Sequence, residues 1–225
     1  MKPFAEALRY EYPLTSKSVV FDCGGYEGNF AHAIGERYGC DVYCFEPVSE
    51  FFSRVCDRVA PLGLDGKARI RVYKHGIGAI TRQEDFHIQN DSTGVYAGAE
   101  RVERCEIRAI DQVMSDLGLD HVDLLKLNIE GMEFEVLEMI LEKGLAPCFT
   151  DIQVQFHPIV LDYNQRYHAI SDGLSKTHEL TYHAPWCWEN WTLRKDLLLH
   201  SPLGTQQVAS GNREVTHNPT TIRIA

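Results

Sequence analysis

Three short clusters and one histidine carry the side chains that can do chemistry. The first, Asp22-Cys23-Gly24-Gly25-Tyr26-Glu27-Gly28, joins a carboxylate to glycines. Glycine lets a backbone approach a ligand closely, and N–H groups exposed in such a turn favour a carboxylate or phosphate. The second is Glu46-Pro47, 24 residues after Asp22. A carboxylate at a strand tip can accept hydrogen bonds from both hydroxyls of a ribose, and Pro47 fixes the exit of the chain. Taken alone, Glu46 reads better as an acid complementing a helix N-terminus. Its spacing from the glycine turn moves the reading to ribose binding. The third is Lys126-Leu-Asn128-Ile-Glu130-Gly131. On a strand, Lys126, Asn128 and Glu130 share one side, while Leu125, Leu127 and Ile129 face the other. A lysine in so apolar a run needs a partner, and Glu130 or Asp22 would serve. Such a pair either supports the glycine loop or takes part in binding and proton handling. Finally, His157 follows Ile-Gln-Val-Gln-Phe, and an imidazole there can take a hydroxyl proton near neutral pH. A histidine before proline is also an ordinary loop residue, and the other nine histidines have no comparable context.

The elements that must position these groups alternate. Residues 18–23 form a β-branched and aromatic run entering the glycine turn, followed by a helical pattern from Asn29 to Tyr38 that Gly39 stops. Asp41 to Glu46 is a second strand, and Ser49 opens a helix expected to end before Pro61. Ala68 to Tyr73 is a third strand. Gln83 to Ile110 reads as two or three strands or a hairpin excursion turning at Asp91-Ser-Thr-Gly94, where Ser92 and Thr93 would help shape an acceptor site. A short helix to Gly118, a strand from Val122 to Ile129, a helix from Gly131 to Lys143, a strand from Cys148 to Phe156 and a helix from Tyr163 to Lys176 follow. Two strands, His178–His183 and Trp191–Leu199, close the order. The expected fold is α/β: a Rossmann-like, mostly parallel, doubly wound sheet with a C-terminal antiparallel hairpin. Residues 1–16 read as an N-terminal extension, 17–200 as the catalytic domain and 201–225 as a polar tail. Trp186, Trp188 and Trp191 either wall an acceptor pocket or fill the core, and alternation favours the core.

A net charge of -10, spread along the chain, offers no field for a phosphate backbone, so nucleic acid is disfavoured as a partner. The seven scattered cysteines lack paired spacing and read as reduced thiols of a cytoplasmic protein. No uncharged apolar run approaches the roughly 18 residues of a membrane span.

The dinucleotide fingerprint would need glycine at 23, 25 and 28, but position 23 is cysteine; D-x-G-x-x-x-G, the S-adenosylmethionine (SAM) pattern, fits Asp22, Gly24 and Gly28. Taken together, V-F-D-C-G-G-Y-E-G-N-F, C-F-E-P, I-D-Q-V and L-L-K-L-N-I-E-G-M-E-F-E-V-L resemble the FkbM-type methyltransferase family from about Val19 to Phe156. The resemblance implies a SAM-binding Rossmann-like fold and methylation of hydroxyl groups on polyketides, sugars or glycans. Asp22, Gly24 and Gly28 would then hold the methionine end and Glu46 the ribose, with Gly25, Pro47, Asn128 and Glu130 completing the cofactor set. His157, Asn128 and Lys126 are the catalytic candidates. The family usually has K-x-D-x-E-G, so Asn128 stands where a carboxylate is expected, and an amide cannot take a proton as a carboxylate does. The family also often shows a glutamate-x-histidine pair where this chain has Gln155-Phe156-His157. The expected partner is a small-molecule or glycan acceptor. No metal is required, although the Asp22 and Glu130 carboxylates offer magnesium a foothold. Three rivals remain: a non-catalytic SAM-binding module, an NAD-dependent oxidoreductase, and a nucleic-acid amino-methyltransferase. The last would show asparagine followed by prolines and an aromatic, whereas Ile-Glu-Gly follows Asn128.

Overall fold

The computed structural model describes residues 7–64, 66, 68–88, 101–198 and 221–224. Five short strands, β1 (Val19–Cys23), β2 (Asp41–Phe45), β3 (Arg69–Tyr73), β7 (Val122–Leu127) and β8 (Phe149–Val154), run parallel. Strands β1, β2, β7 and β8 are almost wholly buried on both faces, as near-continuous apolar runs require, whereas β3 alternates, burying Ile70 and Val72 between more exposed Arg69, Arg71 and Tyr73. The hairpin β9 (His178–Ala184) and β10 (Trp188–Leu193) adds antiparallel strands beyond β8. Strand β11 (Thr221–Ile224), within the stretch read as a tail, pairs antiparallel with β3 at the far edge. The spatial order is β11-β3-β2-β1-β7-β8-β10-β9. The chain winds outward from β1 to β3 and then returns to β7, so strand order reverses between β1 and β7. That reversal opens a crevice at the carboxyl ends of both strands.

Helices cover both faces. On one, α1 (Asn29–Tyr38) and α2 (Ser49–Leu64) bury Phe30, Ile34, Val55 and Val59 against Val20, Val42, Val72 and Leu124. On the other, α3 (Ile110–Asp116), α4 (Glu133–Glu142) and α5 (Tyr163–Leu174) bury Ile110, Phe134, Leu137 and Leu174 against Phe21, Phe45, Leu125 and Ile152. Gly39, at φ 63°, closes α1 by donating to the Gly35 carbonyl. Helix α2 does not stop before Pro61 but runs through it to Leu64. Pro61 sits in the last turn, where only one backbone bond is forfeited, and Val55, Val59 and Leu62 keep the stripe on the sheet.

The excursion after β3 forms a separate sheet, β4-β6-β5, from β4 (Gly76–Gly78), β5 (Arg82–Ile88) and β6 (Arg101–Ala109). Its expected turn at residues 91–94, with Ser92 and Thr93, lies outside the described residues. Trp188 and Trp191 are buried, and Arg9 from the N-terminal segment stacks 3.8 Å above the Trp188 ring. Trp186, in the hairpin turn at φ 54°, stays 42% exposed. Among the described residues no helix is long and apolar enough to cross a membrane.

Candidate active site

The loop after β1 turns on left-handed residues: Gly24 at φ 88°, Tyr26 at φ 50° and Gly28 at φ 76°. A side chain at Gly24 would overlap the Asn128 carbonyl oxygen, so glycine is what lets the β1 and β7 ends come together. Beneath the loop, Lys126 Nζ lies 2.8 Å from Asp22 Oδ1 and donates to the carbonyls of Gly24 (2.7 Å) and Cys23 (3.3 Å). Of the two partners open to Lys126 in the sequence, it takes Asp22. The register explains the choice, since Asp22 and Lys126 are paired positions on adjacent parallel strands.

Glu46 stands just past β2 and is buried, 4% exposed. Its Oε2 accepts the Tyr26 N–H at 2.8 Å and its Oε1 the Val48 N–H at 3.0 Å. It therefore bridges the glycine loop to the start of α2, and each oxygen keeps a further lone pair. Burial pushes its pKa up to about 7, against the two backbone donors and Lys126, with Asp22 adding to the rise.

Strand β7 ends at Leu127, two residues before the expected Ile129. Glu130 (φ 54°) and Gly131 (φ 99°) turn the chain in left-handed backbone, so Glu130 leaves the side it would share with Lys126 on a continued strand. Its carboxylate instead faces His157, with Oε1 3.6 Å from Nε2. The other ring nitrogen, Nδ1, lies 2.9 Å from Glu133 Oε1, which also accepts the His157 backbone N–H at 2.7 Å. Burial lowers the His157 pKa, but the hydrogen bond and charge of Glu133, with the charge of Glu130, outweigh it and leave the ring above its ordinary value. For Glu130 burial acts the other way and raises the carboxyl pKa, with Glu133 adding to the rise and His157 opposing it.

These groups surround a cavity of about 320 Å³ at the point where strand order reverses. Gly24, Glu46, Pro47, Asn128, Glu130 and His157 all line it. Asp22, Gly25, Gly28 and Lys126 do not: the first and last form the buried pair below, and the two glycines pack against Cys44 and Val55. The Asn128 Oδ1 is buried without a hydrogen-bond partner, while its backbone N–H donates to the Cys23 carbonyl. Sequence reading missed the apolar wall: Tyr26 from the glycine loop, Phe51 from α2, Phe86 and Ile107 from the small sheet, and Met132 from the turn before α4. It also missed Glu133. The tryptophans line none of this cavity; Trp186 and Trp188 border a separate cleft of about 90 Å³ beside β10.

A doubly wound parallel sheet with a C-terminal antiparallel pair, and a cavity at its strand-order reversal, defines the class I methyltransferase fold. The chain belongs to the FkbM methyltransferase family: the family's profile, described as Methyltransferase FkbM domain, matches residues 22–182. Among solved structures, the methyltransferase FkbM from Methylobacillus flagellatus aligns with a TM-score of 0.51 at 17% identity, over 80% of this chain and 44% of that one. A putative rRNA-methylase from Clostridium thermocellum aligns with a TM-score of 0.51 at 9% identity, over 85% of this chain and 94% of that one. At these identities the likeness is one of fold. A short segment is 42% identical over 43 residues to the AMB antimetabolite synthetase AmbE of Pseudomonas aeruginosa, covering 19% of this chain and 2% of the synthetase.

Proposed function

We propose that this chain is a SAM-dependent O-methyltransferase that modifies a hydroxyl of a small molecule, sugar or glycan. The observation that carries the reading is the convergence on one cavity of the Gly24 turn, the buried Glu46 carboxylate, the unpartnered Asn128 Oδ1 and His157. A buried acceptor without a donor is costly unless a ligand completes it, so this oxygen fits a donor-bearing cofactor such as SAM. The Gly24, Gly25 and Gly28 loop would hold the methionine end, Glu46 the ribose hydroxyls, and Pro47 the adjoining wall; Asn128 and Glu130 border the reacting end. Bound there, SAM supplies an electrophilic methyl group.

The chain's own residues then position and deprotonate. Asp22 and Lys126 act as positioning residues, because the ammonium is spent on the pair and on two loop carbonyls rather than on the cavity. Asn128 orients by hydrogen bonds. His157 is the proton acceptor, a role its neutral form fills as an acceptor O–H loses its hydrogen. Holding two reactants at near-attack distance supplies about 7 to 11 kcal/mol in favourable systems, so the demand on the base is modest. The seven free thiols suit a reducing cytoplasm.

The test is transfer of an isotope-labelled methyl group from SAM to a panel of sugars, glycans and hydroxylated small molecules, with His157→Ala as control. Labelled ether product that falls at least a hundredfold in the variant supports the proposal. SAM binding without transfer to any acceptor favours a binding module, the rival that Asn128 keeps open.

A further inference from the structure

Glu133, on the first turn of α4, has no solvent exposure and does not line the cavity. A carboxylate out of water needs donors on both oxygens, and Glu133 finds them on two different loops. Its Oε2 accepts the Gly131 N–H at 3.0 Å, in the turn after β7; its Oε1 takes the His157 backbone N–H and Nδ1, in the loop after β8. Asn128 and Glu130 reach the cavity from the first loop and His157 from the second. One side chain thus clamps together the two segments that would carry the reaction.

The clamp also sets the state of the ring. A carboxylate oxygen can only accept, and Glu133 Oε1 has lone pairs for both the His157 backbone N–H and the ring, so Nδ1 meets it as a donor. In the neutral imidazole the lone pair is then left on Nε2. We propose that Glu133 is the positioning residue of this site: it selects the His157 tautomer whose Nε2 is free to take the acceptor's proton, and it steadies the imidazolium that results. This inference rests on His157 being the proton acceptor. The charged groups facing the ring are Glu133 on α4, Glu130 in the β7–α4 turn and Lys126 on β7. The two carboxylates prevail over burial and over the lysine, consistent with a ring held for protonation. Proton balance is simple: the acceptor O–H bond breaks, Nε2–H forms, and the other ring proton stays on Nδ1, hydrogen-bonded to Glu133 Oε1.

Imidazole nitrogen NMR on the whole chain tests this, with the His157 signals identified by their loss in His157→Gln. The expected wild-type spectrum shows the Nδ1–H tautomer in the neutral ring, and Glu133→Gln lowers the His157 pKa and mixes the tautomers. An Nε2–H tautomer in the wild type, or a Glu133→Gln titration identical to wild type, overturns the proposal. Should Glu133→Gln fail to fold, the wild-type tautomer alone decides. S-adenosylhomocysteine titration keeps the two readings apart. A chain with the expected tautomer but no affinity for that ligand retains the Glu133–His157 pair and loses the methyltransferase assignment.

Discussion

Asp22 Oδ1 and Lys126 Nζ meet at 2.8 Å across adjacent strands, with the two side chains 0% and 3% exposed. Neither charge has water to fall back on. Removing one member of such a pair strands the other in a low dielectric, which costs about 3–5 kcal/mol, whereas replacing both with apolar groups is far milder. Lys126→Met should therefore lower unfolding free energy by about that amount, and Asp22→Leu with Lys126→Met should recover much of it. Urea denaturation of the single and double variants checks this. A Lys126→Met protein as stable as wild type would contradict the assignment.

Asn128 should separate stability from binding. Its Oδ1 is buried and makes no hydrogen bond, so deleting it removes an unsatisfied group rather than a bond. Asn128→Ala is expected to stay within about 1 kcal/mol of wild type in stability. If the oxygen serves the cofactor, the same variant should lose at least tenfold in S-adenosylhomocysteine affinity. Thermal unfolding and calorimetry on one preparation give both numbers. Unchanged affinity would remove Asn128 from the site.

Glu46 sets a pH dependence. Its folded pKa, about 7, lies above the unfolded value of 4.5. The folded state therefore binds its proton more tightly, and the contribution to stability is present below pH 4.5 and lost as pH rises towards 7. Ribose hydroxyls would donate to the ionised form, so ligand binding should release a proton and strengthen as pH rises towards 7. Calorimetry in buffers of different ionisation enthalpy measures that release. Proton uptake in this range, or affinity independent of pH between 5 and 8, would speak against ribose binding by Glu46.

Much of this was legible in the sequence, and for identifiable reasons. Buried parallel strands show as continuous apolar runs, Gly39 shows as a helix stop, and the Asp22–Gly28 turn and Glu46 are marked by residue type and spacing. The turn at Glu130 was less visible, because a non-glycine residue in left-handed backbone leaves no trace in its type; only Gly131 hinted at it. Glu133 reads as one more acid on an amphipathic helix until tertiary packing buries it. Strand β4 is a three-residue Gly-Ile-Gly segment, too short for any periodicity. The apolar wall of Phe86 and Ile107 arises only when the small sheet folds over the cavity, and Phe51, Phe86, Ile107 and Met132 then form a cluster of their own. Tryptophan burial followed the sheet: Trp188 and Trp191, on β10, are buried, while Trp186, in the turn before it, packs on Tyr163 and Tyr167 near the surface.

The most direct measurement is calorimetric titration of the wild-type chain and of Glu46→Ala with S-adenosylhomocysteine and, separately, with NAD. The account predicts micromolar S-adenosylhomocysteine binding, weakened at least tenfold by Glu46→Ala, a loss of about 1.4 kcal/mol, and no comparable binding of NAD. Binding of NAD alone, or a Glu46→Ala protein that binds S-adenosylhomocysteine as the wild type does, would contradict it.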